Sequence, residues 1–367
     1  MKILMAAPFD SKGRYKGGIN TIVTTLMTHQ EENFSEQTVF PYNTCRVERT
    51  IDGSGAFNSG NLKNALSVYK DIVKEIKKQK PDVLYYHSSI KFALLKDLLI
   101  IRHAKKKTGV KTVIHIHFAE YEKIMTGKTK VDNLILSCFK KYVDKIVFLS
   151  KNTRDEFVEK GIAEEKTAVI YNFSTVEYND DDANKKLQLK NDVPQLLFVG
   201  SIDIRKGIFE VLEVINKNNL NCNIHICGAC PDQKTTEKFE YYKNILGSKI
   251  IDHGYVSGEE KKQIFLNSDV LVLASHGEGL PMVIMEAFHA GCAVLSTTVG
   301  AIPEIVKKEN GILIAPGDEQ ALTDSLNLML NDSNLTESFR SENLKEAKNY
   351  TVSHFYDEVI DVSKSLL

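Results

Sequence analysis

Short apolar runs alternate along the chain with segments whose apolar residues recur every three or four positions. Lys2–Ala7 is such a run, and Ile19, Ile22, Val23, Leu26 and Met27 then share one face of a predicted helix. Leu62, Ala65, Leu66, Tyr69, Ile72, Val73 and Ile76 repeat the helical spacing up to Pro81, after which Val83–Tyr86 reads as a strand. Lys111–His117, Lys145–Leu149 and Ala168–Tyr171 extend the series. Strands that are apolar nearly throughout, with helices between them, imply a parallel sheet covered on both faces.

Ser174–Pro194 breaks the pattern with a polar, charged, aperiodic stretch that predicts an interdomain linker. Its Asp180-Asp181-Asp182 run has no accompanying histidine or spaced carboxylate, which speaks against a metal site. The alternation then restarts, with strands at Gln195–Val199, Asn223–Cys227, Lys249–Asp252, Val270–Ala274, Ala293–Thr297 and Gly311–Ala315. The expectation is an α/β chain of two Rossmann-like, doubly wound domains facing a cleft. They span residues 1–173 and 195–350 with a linker at 174–194, and a last helix at about 351–367 returns to the first domain. Ligands of such sheets bind beyond the carboxyl ends of the strands, so the expected site is the cleft.

Composition narrows the class. The 367 residues are 43% hydrophobic and 26% charged, values that exclude disordered and fibrous chains. No run of 18 apolar residues occurs, and Met1–Pro8 reads as a first strand rather than a signal peptide. Six irregularly spaced cysteines make no disulfide framework, so a reducing cytoplasm is expected. The net charge of −1 conceals an asymmetry: residues 1–175 hold 29 Lys/Arg against 19 Asp/Glu, a balance of +10 that the remainder reverses. In Lys91–Lys107, Phe92, Leu94, Leu95, Leu98, Leu99 and Ile101 mingle with Lys91, Lys96, Arg102, Lys105, Lys106 and Lys107. A basic amphipathic helix of this kind suggests docking on an anionic membrane surface, peripheral at its inner face.

Two segments carry candidate chemistry. Ser275–Gly291 follows a predicted strand, and Gly277 and Gly279 allow a tight turn and close approach to a ligand. Pro281 suits a first helical turn, so a helix is expected from Leu280 with its free N–H groups facing a phosphate. Glu278 precedes that helix, and Glu286 lies inside it, where a carboxylate can accept hydrogen bonds from vicinal hydroxyls. Phe198–Gly207 ends the first strand of the second domain; Gly200 permits close approach, and Arg205 and Lys206 supply positive charge for a diphosphate.

These segments resemble the retaining nucleotide-sugar glycosyltransferases of family 4, which have the GT-B fold. The family's pattern of two glutamates eight residues apart stands here as Glu278-Gly279-Leu280-Pro281 and Glu286-Ala287, and its phosphate turn as Gly200-Ser201 and Lys206-Gly207. Ser201 replaces the usual arginine, which Arg205 is expected to offset. The resemblance implies that Glu286 holds the ribose, Glu278 the donor sugar, and Lys206 with the Gly279–Leu280 backbone the diphosphate. It further implies a donor role for Gly17 and Gly18 in a loop after the first strand, for Tyr255 and Val256 near the base, and a catalytic role for His117 beside the sugar. His115 and His117 share a strand face by period-two alternation. Ser150 and Asn172 read first as cap and turn residues, and the Cys227/Cys230 pair lacks a partner pair with zinc spacing.

The implied activity is a hexosyltransferase that moves a sugar from a nucleoside diphosphate, expected to be UDP, to a glycan or lipid-linked glycan in surface polysaccharide assembly. Acceptor loops are expected at Pro8–Lys16, His87–Lys91 and Phe118–Lys128. No Asp-x-Asp segment flanks the motifs, so neither a catalytic metal nor another cofactor is expected, and nucleic acid is not an expected partner. The alternatives are an epimerase, a phosphorylase or a degenerate nucleotide-sugar-binding module on the same fold. A dehydrogenase is disfavoured because no Gly-x-Gly-x-x-Gly follows the first strand.

Overall fold

The computed structural model describes residues 1–9, 17–36, 38–45, 59–88, 92–119 and 129–367. The chain divides into two compact units, Met1–Asn172 with Val352–Leu367, and Phe173–Thr351. The first contains β1 (Ile3–Ala7), β2 (Val39–Asn43), β3 (Val83–Ser88), β4 (Lys111–Ile116), β5 (Lys145–Phe148) and β6 (Thr167–Val169). They form one parallel sheet in the order β2-β1-β3-β4-β5-β6. Every residue of β1 is fully buried, as expected of a strand with helices on both faces. Of the residues that the spacing picks out, Ile22, Val23 and Leu26 on Gly18–Asn33 and Ile72 and Ile76 on Ser59–Gln79 are buried, whereas Leu66 and Tyr69 are exposed and Val68, outside the predicted face, is buried in their place. The last helix, Val352–Lys364, belongs to this unit: Tyr356 donates from its hydroxyl to Gln30 Oε1 at 3.2 Å.

The second unit contains β7 (Gln195–Val199), β8 (Asn223–Cys227), β9 (Ile250–Gly254), β10 (Val270–Leu273), β11 (Ala293–Thr297) and β12 (Gly311–Ile314). The parallel order is β12-β11-β10-β7-β8-β9. The strand order reverses between β7 and β10, which makes that seam the topological switch point where doubly wound sheets bind ligands. The two chemistry-bearing segments follow these two neighbouring strands.

Two expectations need correction. Residues 174–194 are not an aperiodic linker, because Asp180–Gln188 is a helix within the second unit. Asn179 Oδ1 accepts from Asp182 N–H at 2.9 Å and Asp182 Oδ2 accepts from Asn179 N–H at 2.9 Å, a reciprocal cap. Lys186 on this helix is buried and donates to the carbonyls of Leu266, at 3.0 Å, and Ser268. The aspartate run is therefore a helix start, and a buried lysine does the packing that an apolar residue would announce in the sequence.

The second correction concerns the basic amphipathic segment. It forms the helix Phe92–Thr108, but Leu94, Leu98, Ile101 and Ala104 are buried in the unit's own core. Its apolar face is thus not available for insertion into a membrane. Lys105 pairs with Asp144, and Arg102 and Lys106 each lie 5.4 Å from the centre of the Tyr142 ring. Lys91 falls outside the described residues. Among the described residues no helix is long and apolar enough to cross a membrane.

Candidate active site

Adjacent strands β7 and β10 bring their two loops into contact, and glycines make the approach possible. Gly207 has φ +70°, and a Cβ there would fall 1.9 Å from the Ala274 carbonyl oxygen. The segment before it is a short 3₁₀ turn, Ile204–Lys206, capped by Asp203, whose Oδ1 accepts from Lys206 N–H at 3.0 Å. His276 N–H donates to the Arg205 carbonyl at 2.8 Å, and Arg205 Nη1 donates to the Gly277 carbonyl at 3.3 Å. The loop after β11 closes the other side: at Gly300, φ +58°, a Cβ would fall 2.4 Å from the Glu278 carbonyl oxygen, and Ala301 N–H donates to the Gly279 carbonyl at 2.9 Å.

This scaffold joins two residues that the sequence analysis assigned separately. Lys206 Nζ donates to Glu278 Oε1 at 2.6 Å, and Ser275 Oγ donates to the same oxygen at 2.7 Å. Glu278 is buried and Lys206 nearly so. Arg205 is exposed and stands 3.9 Å from Asp203. The helix begins at Met282, two residues later than expected from Leu280, with Pro281 as its N-cap rather than in its first turn. Leu280 is buried, and Gly200 N–H donates to the Cys227 carbonyl at 2.9 Å beside the half-buried Ser201.

Glu286 is buried on helix Met282–His289. Its Oε1 accepts from Lys261 Nζ at 2.6 Å and from the Thr175 hydroxyl, while Oε2 is buried with no partner. Neither Lys261, on helix Gly258–Asn267, nor Thr175, in the segment read as a linker, carries a local sequence signal for this role. At the end of β9, Gly254 turns with φ +61°; Tyr255 is exposed, whereas Val256 is buried and offers a ligand only its backbone.

In the first unit Gly17 and Gly18 open the helix Gly18–Asn33, with Lys16 outside the described residues. The expected acceptor loops fall largely at 10–16, 89–91 and 120–128, which also lie outside them. Ser150 is a helix cap, its side chain accepting from Thr153 N–H at 3.2 Å. His117 follows β4 and donates its backbone N–H to the Ser88 carbonyl at 3.0 Å. The sequence analysis missed its partner: His87 Nδ1 lies 2.6 Å from His117 Nε2. His87 is in register with His115 across β3 and β4, and the three rings stack with centroids 4.2–5.4 Å apart. Only strand pairing reveals this, since the sequence separates the residues by about thirty positions.

Burial lowers the basicity of all three imidazoles, holding His87 and His115 well below the ordinary range and His117 at about 3. The trio is the one cluster of metal-ligating type among the described residues. Its geometry is that of a hydrogen-bonded stack: zinc–nitrogen bonds of about 2.0–2.1 Å would hold two tetrahedral nitrogens roughly 3.3 Å apart, not in contact. Cys227 and Cys230 are free thiols, and burial pushes the Cys227 thiol up to about 12, which opposes a redox or metal role.

The family model Glycosyl transferases group 1 matches residues 179–346, and the model Glycosyltransferase Family 4 matches residues 16–177. The chain is 30% identical over 169 residues to a Campylobacter jejuni α-1,4-N-acetyl-D-galactosaminyltransferase named for a GalNAc-containing diNAcBac-PP-undecaprenol, covering 44% of this chain and 46% of that enzyme. It is 23% identical over 217 residues to the capsular polysaccharide biosynthesis glycosyltransferase CapM of Staphylococcus aureus, covering 56% and 57%. The crystal structure of Anabaena HepE in complex with UDP and glucose superposes with a TM-score of 0.71 over 100% of both chains at 17% identity. That likeness identifies the fold as GT-B.

Proposed function

We propose that this chain, which belongs to the glycosyltransferases of group 1 and family 4, moves a sugar from UDP to a hydroxyl of a glycan or lipid-linked glycan with retention of anomeric configuration. The observation that carries this reading is the Lys206–Glu278 pair, 2.6 Å apart at the switch point of the second sheet. A largely shielded cation beside a backbone cradle is what a departing diphosphate requires. In the proposed cycle the diphosphate displaces Glu278 from Lys206, and the freed carboxylate turns to the sugar hydroxyls.

Glu286 takes the ribose, with Lys261 and Thr175 fixing its orientation through Oε1. Arg205 and the N–H groups at Met282 add positive potential, so the reading calls on no metal. The incoming hydroxyl gives its proton to the leaving diphosphate on the face from which that group departs. The Campylobacter and Staphylococcus relatives, named for a lipid-diphosphate-linked glycan and for capsular polysaccharide, support a role in polysaccharide assembly and an acceptor carried on a lipid diphosphate. Such an acceptor is the reason to place the enzyme at a membrane surface.

The test combines three measurements. UDP release that depends on an added glycan or lipid-linked acceptor supports transfer, whereas release into water alone favours a hydrolase, and no release favours a binding module. Thermal shift with UDP, GDP, ADP and CMP identifies the base, since a ligand at 100 times its Kd adds about 2.7 kcal/mol. An inverted product anomer by NMR overturns retention.

A further inference from the structure

The contact between His87 and His117 specifies where the His117 proton sits. Two neutral rings share the contact between His87 Nδ1 and His117 Nε2, so one nitrogen donates and the other accepts. His87 is almost fully buried, and its Nε2 has no partner. If His87 carried its proton on Nε2, a buried N–H would be left unsatisfied, which is the rarer and costlier orphan. With the proton on Nδ1 the unpaired atom is a lone pair, and His87 donates to His117 Nε2. His117 must then carry its own proton on Nδ1, the tautomer that histidine in water disfavours.

Among the described residues, the remaining neighbours whose contacts the structure shows supply no competing donor to His117 Nε2. His115 stacks on both rings but uses Nδ1 for the Tyr85 hydroxyl at 3.0 Å, and its Nε2 is itself without a partner. The Phe355 ring stacks on His115 with centroids 6.1 Å apart, and the carboxylate of Glu358 acts on Tyr85. Burial of the three rings keeps each of them neutral at ordinary pH. His117 remains partly accessible, with Nδ1 the ring nitrogen that His87 leaves free.

We propose that His87 is a positioning residue that locks His117 in the Nδ1–H tautomer, so that His117 meets a substrate hydroxyl as a hydrogen-bond donor. The second half of this statement rests on the glycosyltransfer reading; the first half is a property of the ligand-free protein. The two can therefore fail separately.

The test is long-range ¹⁵N–¹H NMR of the full chain labelled at histidine. In the wild type His117 is expected to show a protonated Nδ1 and an unprotonated Nε2 from pH 6 to 8. A His117 resonance protonated at Nε2 overturns the proposal whether or not the enzyme transfers sugar. His87→Asn keeps a donor at the Nδ1 position and is expected to preserve the tautomer and to hold donor KM within about threefold, while His87→Leu removes the donor, mixes the tautomers and raises donor KM about tenfold with a smaller change in kcat. Should His87→Leu not fold, the wild-type spectrum and His87→Asn still decide. Equal kinetics for the Asn and Leu variants, both folded, overturn the positioning role.

Discussion

Lys206 and Glu278 form an ion pair of 2.6 Å between loops that follow two different strands, β7 and β10. The pair exists because the strand order places β7 beside β10, and because Gly207 lets the backbones meet where any Cβ would strike the Ala274 carbonyl. On the proposed function, the pair holds the cation proposed to bind the diphosphate against the carboxylate proposed to bind the sugar. Donor binding would on that reading be an exchange of partners, in which neither charge is left unpaired.

Lys206→Ala is expected to lower kcat by about 10²–10³, since negative charge grows on the diphosphate in the transition state. Steady-state kinetics at saturating donor checks this. A loss of tenfold or less would transfer the role to Arg205.

Glu286→Ala is expected to weaken UDP binding by about 1.5–3 kcal/mol, roughly 10–150-fold, and to affect turnover at saturation much less. Isothermal titration with UDP measures the loss. Lys261→Met should weaken UDP more modestly, because it loosens Glu286 without removing it. An unchanged UDP affinity in Glu286→Ala would refute the ribose role.

Gly300→Ala tests the cradle itself. The residue has φ +58°, and its new Cβ would overlap the Glu278 and Gly279 carbonyls at 2.4 and 2.5 Å. Both strain and overlap oppose it, so a loss of at least about 2 kcal/mol is expected, or several degrees in Tm for a unit of this size. Circular dichroism melting reads the shift, and UDP affinity should fall with it because the loop carrying Glu278 is displaced.

How much of this was legible in the sequence follows from the range of the interactions. The strands declared themselves because burial on both faces makes them apolar throughout, and the two loops did so because their glycines and charges are contiguous. The partners of the site residues did not. Lys261 meets Glu286 across 25 positions, Thr175 meets it across 111, and His87 meets His117 through strand register. The helix Asp180–Gln188 was read as a linker because a reciprocal polar cap and a buried lysine hold it, which periodicity of apolar residues does not detect. The basic helix Phe92–Thr108 was legible as amphipathic, but not which surface its apolar side would meet.

The histidine stack sets a pH dependence with a definite sign. In the unfolded chain each ring takes up a proton below its ordinary value of about 6.5, whereas the folded value is lower for all three and about 3 for His117. The unfolded state then binds more protons, so stability is lost as pH falls below about 6.5, at up to about 1.4 kcal/mol per pH unit per histidine. Asp144 acts in a lower window: burial raises its carboxyl, but Lys105 and Thr112 more than offset this and hold it below the usual value, so its contribution is lost only below about pH 4. Urea unfolding at pH 7, 6 and 5 should show the decline, and His115→Phe should show a shallower one. Equal slopes would mean that the rings are not neutral in the folded protein.

The last prediction concerns the membrane. The +10 balance of residues 1–175 favours an anionic surface, but the buried face of Phe92–Thr108 removes insertion of that helix as the means. Among the large apolar side chains that the first unit exposes are Leu66 and Tyr69 on Ser59–Gln79, Leu99 on Phe92–Thr108, and Val131 and Leu134 on Lys130–Tyr142. Helix Phe92–Thr108 packs against the other two, so these side chains lie on neighbouring helices that also carry exposed lysines such as Lys63, Lys70 and Lys130. Shallow docking is then expected, driven mainly by charge at about 1 kcal/mol per cation near the surface and screened over about 8–10 Å at 0.1–0.15 M salt. Cosedimentation with vesicles containing anionic lipid should show binding at low salt that high salt abolishes. Val131→Glu with Leu134→Glu should weaken it while leaving transfer to a water-soluble acceptor analogue intact. No binding at low salt, or binding indifferent to lipid charge, rejects electrostatic docking and makes a soluble acceptor the better reading.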